Sequence, residues 1–192
     1  MIIVLATHNK DKVREMSLLL APRGFEIKAL YEFPGAPEPE ETGLTFERNA
    51  RIKAESASAF TGLPCIADDS GLCVDVLGGA PGVFSARYGG FSTAGERNAH
   101  LLLEMGDAAQ RDAEFVASIV CLFPDGREIC AEGRIRGEIT SVPRGAQGFG
   151  YDPLFYIPAL GRTMAELSEA EKAEVSHRAL AIEAFIGKLA AL

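Results

Sequence analysis

The spacing of apolar residues changes several times along the chain. Ile2 to Ala6 is a continuous apolar run, which predicts a short strand covered on both faces. Thr7 to Lys12 is polar. Val13, Met16, Leu19 and Leu20 then recur at helical spacing, and Gly24 marks a stop. Phe25, Ile27 and Ala29 alternate with Glu26 and Lys28, predicting a second strand. A loop rich in Pro, Gly and Glu covers residues 34–43. A helix is predicted from about Thr45 to Phe60, closed by Thr61-Gly62.

Pro64 to Ala67 leads into a strand that is expected to stop at Asp68-Asp69-Ser70-Gly71, with a strand-like pattern resuming over Leu72 to Leu77. Residues 78–92 are glycine-rich and irregular. Thr93 and Glu96 form a capping-box pattern that opens the helix carrying Leu101 to Leu103. Phe115 to Phe123 and Glu128 to Ile139 read as strands, and Pro124-Asp125-Gly126-Arg127 joins them as a β-hairpin. A second glycine-rich segment covers Gly145 to Asp152. Ser168 and Glu171 offer another capping box, and Leu180, Ala184 and Leu189 continue a terminal helix. Strands alternating with helices predict an α/β fold with a mixed sheet.

A length of 192 residues suits one domain with a real core, so residues 1–192 are expected to form a single domain. No apolar run is long enough for a membrane span, and the first residues lack the features of a signal peptide. No membrane association and a cytoplasmic location are therefore expected. Cys65, Cys73, Cys121 and Cys130 form no CxxC pair and have apolar neighbours, which predicts reduced, buried thiols. The formal net charge of −8 argues against a nucleic-acid partner. A small anionic ligand is compatible with it where a few cations gather locally.

Candidate chemistry lies in five places. Thr7 to Lys12 would join a strand to a helix, pointing backbone N–H groups, two lysines and the polar side chains of Thr7 and Asn9 at an anion. It is neither a Walker A loop nor a GxGxxG loop. Glu40-Glu41 and Asp68-Asp69 offer the carboxylate oxygens that Mg²⁺ prefers. Because successive strand residues face opposite ways, one of Asp68 and Asp69 faces such a site unless the chain turns there. Asn49 and Lys53 share a helical stripe. In Gly148-Phe149-Gly150-Tyr151-Asp152-Pro153, glycines flank two aromatics, either of which could stack on a base, and Asp152 could accept a base N–H. Lys172, Ser176, His177 and Arg178 place a cation, an imidazole and a fork donor within two turns. No nucleophilic triad presents itself.

Together these segments resemble the inosine/xanthosine triphosphate pyrophosphatase family, the ITPase-like enzymes, and most of all its bacterial dITP/XTP pyrophosphatases. The matching segments are 7–12, 40–46, 49–54, 67–72, 78–88, 148–155 and 176–178, in order along nearly the whole chain. The resemblance implies a long mixed β-sheet with flanking helices, forming two lobes around a central cleft, and a homodimer. It implies Mg²⁺-dependent cleavage of dITP, ITP and XTP between the α- and β-phosphates, cleansing the nucleotide pool. Thr7, His8, Asn9, Lys10, Asp11 and Lys12 would then hold the phosphate tail, with Lys53 assisting catalysis. Asp69 would be the general base and a metal ligand. Glu40 would be the second ligand, with Glu41 as its alternative. Ser70 would bind substrate, and Phe149, Gly150, Tyr151, Asp152, Lys172, His177 and Arg178 would surround base and sugar. A broader (d)NTP pyrophosphatase and a catalytically silent purine-nucleotide sensor are the competing readings.

Overall fold

A computed structural model describes residues 1–191. Among these residues the chain forms strand β1 (Ile2–Leu5), helix α1 (Lys10–Leu20), β2 (Glu26–Ala29), α2 (Phe46–Thr61), β3 (Cys65–Val74) and α3 (Ala94–Met105). It continues with β4 (Asp112–Leu122), β5 (Glu128–Ile139), β6 (Phe155–Ile157), β7 (Arg162–Thr163), α4 (Glu169–Val175) and α5 (His177–Leu189). The strands make one sheet in the order β2-β1-β3-β4-β5-β6-β7. β1 runs parallel to β2 and β3, whereas β6 is antiparallel to β5 and β7, so the sheet is mixed as the alternation of elements predicts. Short 3-10 turns fill much of the glycine-rich stretch before α3.

The chain divides into two compact units, each gathered from separate stretches of sequence. The first contains Met1–Asp69, Ala117–Gly133 and the segment from His177 onward; the second contains Ser70–Val116 and Arg134–Ser176. In the first unit, Val4, Ala6, Cys65, Ala67 and Val120 pack against Ala50, Ala54 and Ala57 of α2. These three alanines recur at i, i+4 and i+7 on one stripe, and their small size lets the helix lie close on the strands. Thr45 caps the start of α2 by accepting the Arg48 amide, and Gly62 ends it in the left-handed conformation at φ 66°. α5 approaches β5 closely at Gly133, where a Cβ would stand 2.2 Å from the His177 carbonyl oxygen. That contact seats the start of α5. In the second unit, Leu72, Leu101, Phe115, Ile139, Tyr151 and Phe155 lead the core.

Three local expectations change. β3 does not stop at Asp68; it runs unbroken through Asp-Asp-Ser-Gly, because both acids find cationic or amide partners on the two faces of the strand. The terminal helix is broken at Ser176, whose extended backbone (φ −68°, ψ 155°) separates α4 from α5. β6 and β7, of three and two residues, are too short to show a period. The hairpin is present, closed by the Phe123 amide donating to the Arg127 carbonyl at 2.9 Å.

Candidate active site

Parallel pairing of β1 with β3 aligns Leu5 with Ile66, so the Thr7–Lys12 turn and Asp68-Asp69 both lie just past the C-terminal end of β1. This is the edge at which α/β sheets bind ligands. Asn9 caps α1: its side-chain oxygen accepts the amides of Asp11 at 2.9 Å and Lys12 at 3.2 Å. The Asn9 amide in turn donates to the Thr7 hydroxyl at 3.1 Å. Two first-turn amides expected to face an anion thus face Asn9, and a phosphate binding them would displace that side chain. His8, Asn9 and Lys10 are exposed. Asp11 lies 3.7 Å from Arg14 on the same helix, where its charge also suits the helix N-terminus.

Lys12 turns inward instead. Its ammonium lies 2.8 Å from the Asp68 carboxylate and also donates to the Asp68 carbonyl. Asp68 is fully buried and receives a second cation, Arg178, at 3.2 Å. Arg178 also pairs with Glu15 of α1. Burial pushes the Asp68 pKa up, but Arg178 and Lys12 outweigh it and hold the carboxyl well below the usual range. Burial lowers the Lys12 pKa despite Asp68, and the nearby Lys53 and Arg178 add to the lowering.

Asp69 points to the other face of β3. Its Oδ1 accepts from the Lys53 ammonium at 2.8 Å and its Oδ2 from the Asn49 amide at 3.3 Å. The same ammonium lies 2.9 Å from Glu41 Oε1. Burial raises the Asp69 pKa, opposed by Lys53 and Lys12. Burial works against a charged Lys53, but Asp69 and Glu41 outweigh it and raise its pKa. Of the candidates Glu40 and Glu41, Glu41 is the one that reaches this centre; Glu40 is exposed. Ser70 follows Asp69 on β3 and is half-buried.

The second unit holds a separate cluster. Asp152 Oδ2 accepts from the Lys172 ammonium at 2.6 Å and the Phe149 amide at 2.9 Å. The same ammonium lies 5.0 Å from the Phe149 ring centroid. Gly148 at φ 73° makes room, since a Cβ there would stand 2.1 Å from Asp152 Oδ2. The Gly150 carbonyl accepts from Asn98 at 3.1 Å. Tyr151 is a core residue whose hydroxyl donates to the Ser85 carbonyl at 2.9 Å, so of the two aromatics Phe149 is the one placed for stacking.

His177 and Arg178 begin α5 and are buried. The Arg178 guanidinium, expected beside base and sugar, pairs with Asp68 and Glu15. Asp68 and Asn49, candidates by their spacing, belong to these networks, and so does Glu15, which the sequence reading did not single out. Glu15 lies one turn after Lys12, the only trace of its role in the sequence. The thiols are free, and two of the four are half-buried rather than buried. Burial pushes Cys73 and Cys130 up to about 11 and Cys121 to about 12, which leaves them poor nucleophiles.

This geometry can be set beside known proteins. The Ham1 family model matches residues 3–188. The chain belongs to the Ham1 family. Similar proteins include those of Exiguobacterium, 49% identical over 94% of this chain and 92% of the relative, and of Thermus thermophilus, 50% identical over 96% and 89%. Both carry the name dITP/XTP pyrophosphatase. Among solved structures, a Ham1 protein from Coxiella burnetii is 43% identical with a TM-score of 0.89, covering 100% of both chains. The Staphylococcus aureus Ham1 protein has the same TM-score at 38% identity, over 100% of this chain and 99% of that one. The Ham1 fold accounts for the mixed sheet with flanking helices. No helix of the described residues is long and apolar enough to cross a membrane.

Proposed function

We propose that this chain is a nucleoside triphosphate pyrophosphatase that splits the α–β phosphate bond of dITP, ITP and XTP, releasing monophosphate and pyrophosphate and so cleansing the nucleotide pool. The observation that carries this reading is the joint placement of Asp69, Glu41, Lys53 and Lys12 at the ligand-binding edge of a parallel strand pair. The printed names of the relatives supply the substrate class.

Asp69 takes a proton from a water aimed at the α-phosphorus. As the new P–O bond forms, the bond to the β-phosphate breaks and pyrophosphate leaves. Lys12 and Lys53 offset charge on the phosphates in a site partly shielded from water. Asp69 and Glu41 fit Mg²⁺, since both present hard carboxylate oxygens that already converge on one cation. Mg²⁺ is commonly held by one or two carboxylates and completes its shell with water and phosphate oxygens. Bound Mg²⁺ supplies charge neutralisation at the phosphates and stabilises the leaving group.

In the second unit, the Lys172–Asp152 pair sets a donor beside an acceptor next to the Phe149 ring. A 6-keto purine, guanine included, presents the matching O6 acceptor and N1–H donor, whereas adenine presents the reverse, so this pair selects against adenine and not against guanine. A mismatched buried polar group costs about 1–3 kcal/mol, so one such contact discriminates roughly 5- to 150-fold. The reading carries with it the homodimer and cytoplasmic setting that the family resemblance implies. The deciding experiment is a pyrophosphate-release panel with Mg²⁺ and dITP, ITP, XTP, dGTP and dTTP. Turnover concentrated on the first three is expected. Equal turnover on all five would favour a broad pyrophosphatase, and tight binding of ITP without pyrophosphate release would favour a sensor.

A further inference from the structure

Asn49 has no exposed surface and lies one turn before Lys53 on α2. Its carboxamide joins two groups distant in sequence. The oxygen accepts the Gly43 amide at 2.8 Å, and the nitrogen donates to Asp69 Oδ2 at 3.3 Å. The orientation is not arbitrary: a backbone N–H can only donate and a carboxylate can only accept, so the oxygen must face Gly43 and the nitrogen Asp69. Gly43 is two residues beyond Glu41. Glu41 and Asp69 meet the same Lys53 ammonium. Gly43 packs so tightly that a Cβ there would stand 2.6 Å from Asn49 Oδ1 and 2.9 Å from Arg48 Cβ, and its φ lies outside the left-handed region.

We propose that Asn49 is a positioning residue, whose side chain clamps the Glu41 loop to the Asp69 carboxylate so that both acids face one cation in a fixed arrangement. The proposal rests on the role given to Asp69 above. A carboxylate on a short side chain rotates readily. Lys53 alone fixes one oxygen, whereas Lys53 and Asn49 together fix the carboxylate plane. Small misplacements at a reacting centre are costly, and residues that only orient catalytic groups typically change activity roughly 10- to 100-fold.

The test uses Asn49→Asp, Asn49→Ala and Gly43→Ala in the full chain. Asn49→Asp keeps an acceptor for the Gly43 amide and loses the donor to Asp69. Gly43→Ala leaves Asn49 in place and pushes on its oxygen from the loop side. Each should lower kcat on dITP roughly 10- to 100-fold while KM stays within about 2-fold. Hydrogen exchange at the Gly43 amide, read in metal-free protein, should stay slow in Asn49→Asp and become fast in Asn49→Ala. Wild-type kcat in Asn49→Asp or Gly43→Ala overturns the proposal, as does unchanged Gly43 exchange in Asn49→Ala. Should Asn49→Asp not fold, Gly43→Ala at its half-buried loop position decides. If wild-type protein releases no pyrophosphate, or Asp69→Asn turns over normally, it is the function reading that fails, and Gly43 exchange still decides whether the clamp exists.

Discussion

The Asp68 carboxylate lies between Lys12 and Arg178 with no exposed side-chain surface. Replacing it by Asn would leave two buried cations close together, Lys12 without its carboxylate partner and Arg178 with Glu15 alone. Breaking a buried pair in this way costs about 3–5 kcal/mol, so Asp68→Asn should lose that much stability in urea denaturation. Asp69→Asn removes a charge one residue away, but Lys53 keeps Glu41 as a partner. Its fold should hold while kcat falls roughly 10²- to 10⁴-fold, the usual contribution of a general base. The same contrast sets the acid response. The folded-state pKa of Asp68 lies below its unfolded value, so its stabilising contribution is present above about pH 4 and is lost as pH falls further. Denaturation followed against pH should therefore show a drop in wild-type stability below about pH 4 that is flatter in Asp68→Asn.

At the level of elements, sequence signals with a local cause were legible. The Thr93–Glu96 and Ser168–Glu171 capping boxes both close as written, because each needs only groups within one helical turn. The Asn9 cap of α1 within the Thr7–Lys12 turn is local in the same way. What sequence did not reveal depends on distant partners. Asp-Asp-Ser-Gly reads as a turn by composition, yet it continues β3 because Lys12, Arg178, Lys53 and Asn49 arrive from other elements to satisfy its acids. Glu15 and Asn49 likewise gain meaning only once α1 and α2 are packed. The Gly148–Asp152 segment shows a local rule with a distant consequence. Gly148 holds φ 73° and leaves no space for a Cβ beside Asp152. Gly148→Ala should push Asp152 away from Lys172 and the Phe149 amide. We expect the KM for dITP to rise about 10-fold, equivalent to about 1.4 kcal/mol, with a smaller change in kcat, in steady-state assays.

The whole molecule carries a net charge of −8, and the charged groups of the first unit's site do not reverse that sign. Lys12, Lys53 and Arg178 are set against Asp68, Asp69, Glu41 and Glu15, three cations facing four carboxylates. A triphosphate is itself a polyanion. Two like charges about 4 Å apart at a protein surface repel by about 4 kcal/mol, more than the roughly 1.4 kcal/mol that changes affinity tenfold. The lysines are already engaged with carboxylates, so they cannot by themselves make the site attractive to the phosphate tail. A divalent cation held by Glu41 and Asp69 would tip that balance. Chelation should therefore act on binding as well as on turnover. With EDTA, pyrophosphate release from dITP should fall to background, and calorimetry should show nucleotide affinity weakened at least about tenfold. Adding Mg²⁺ in excess should restore both. In Glu41→Gln the same titration should need more Mg²⁺ to reach half-maximal rate, whereas Glu40→Gln should follow the wild-type curve; the reverse pattern would move the second ligand to Glu40.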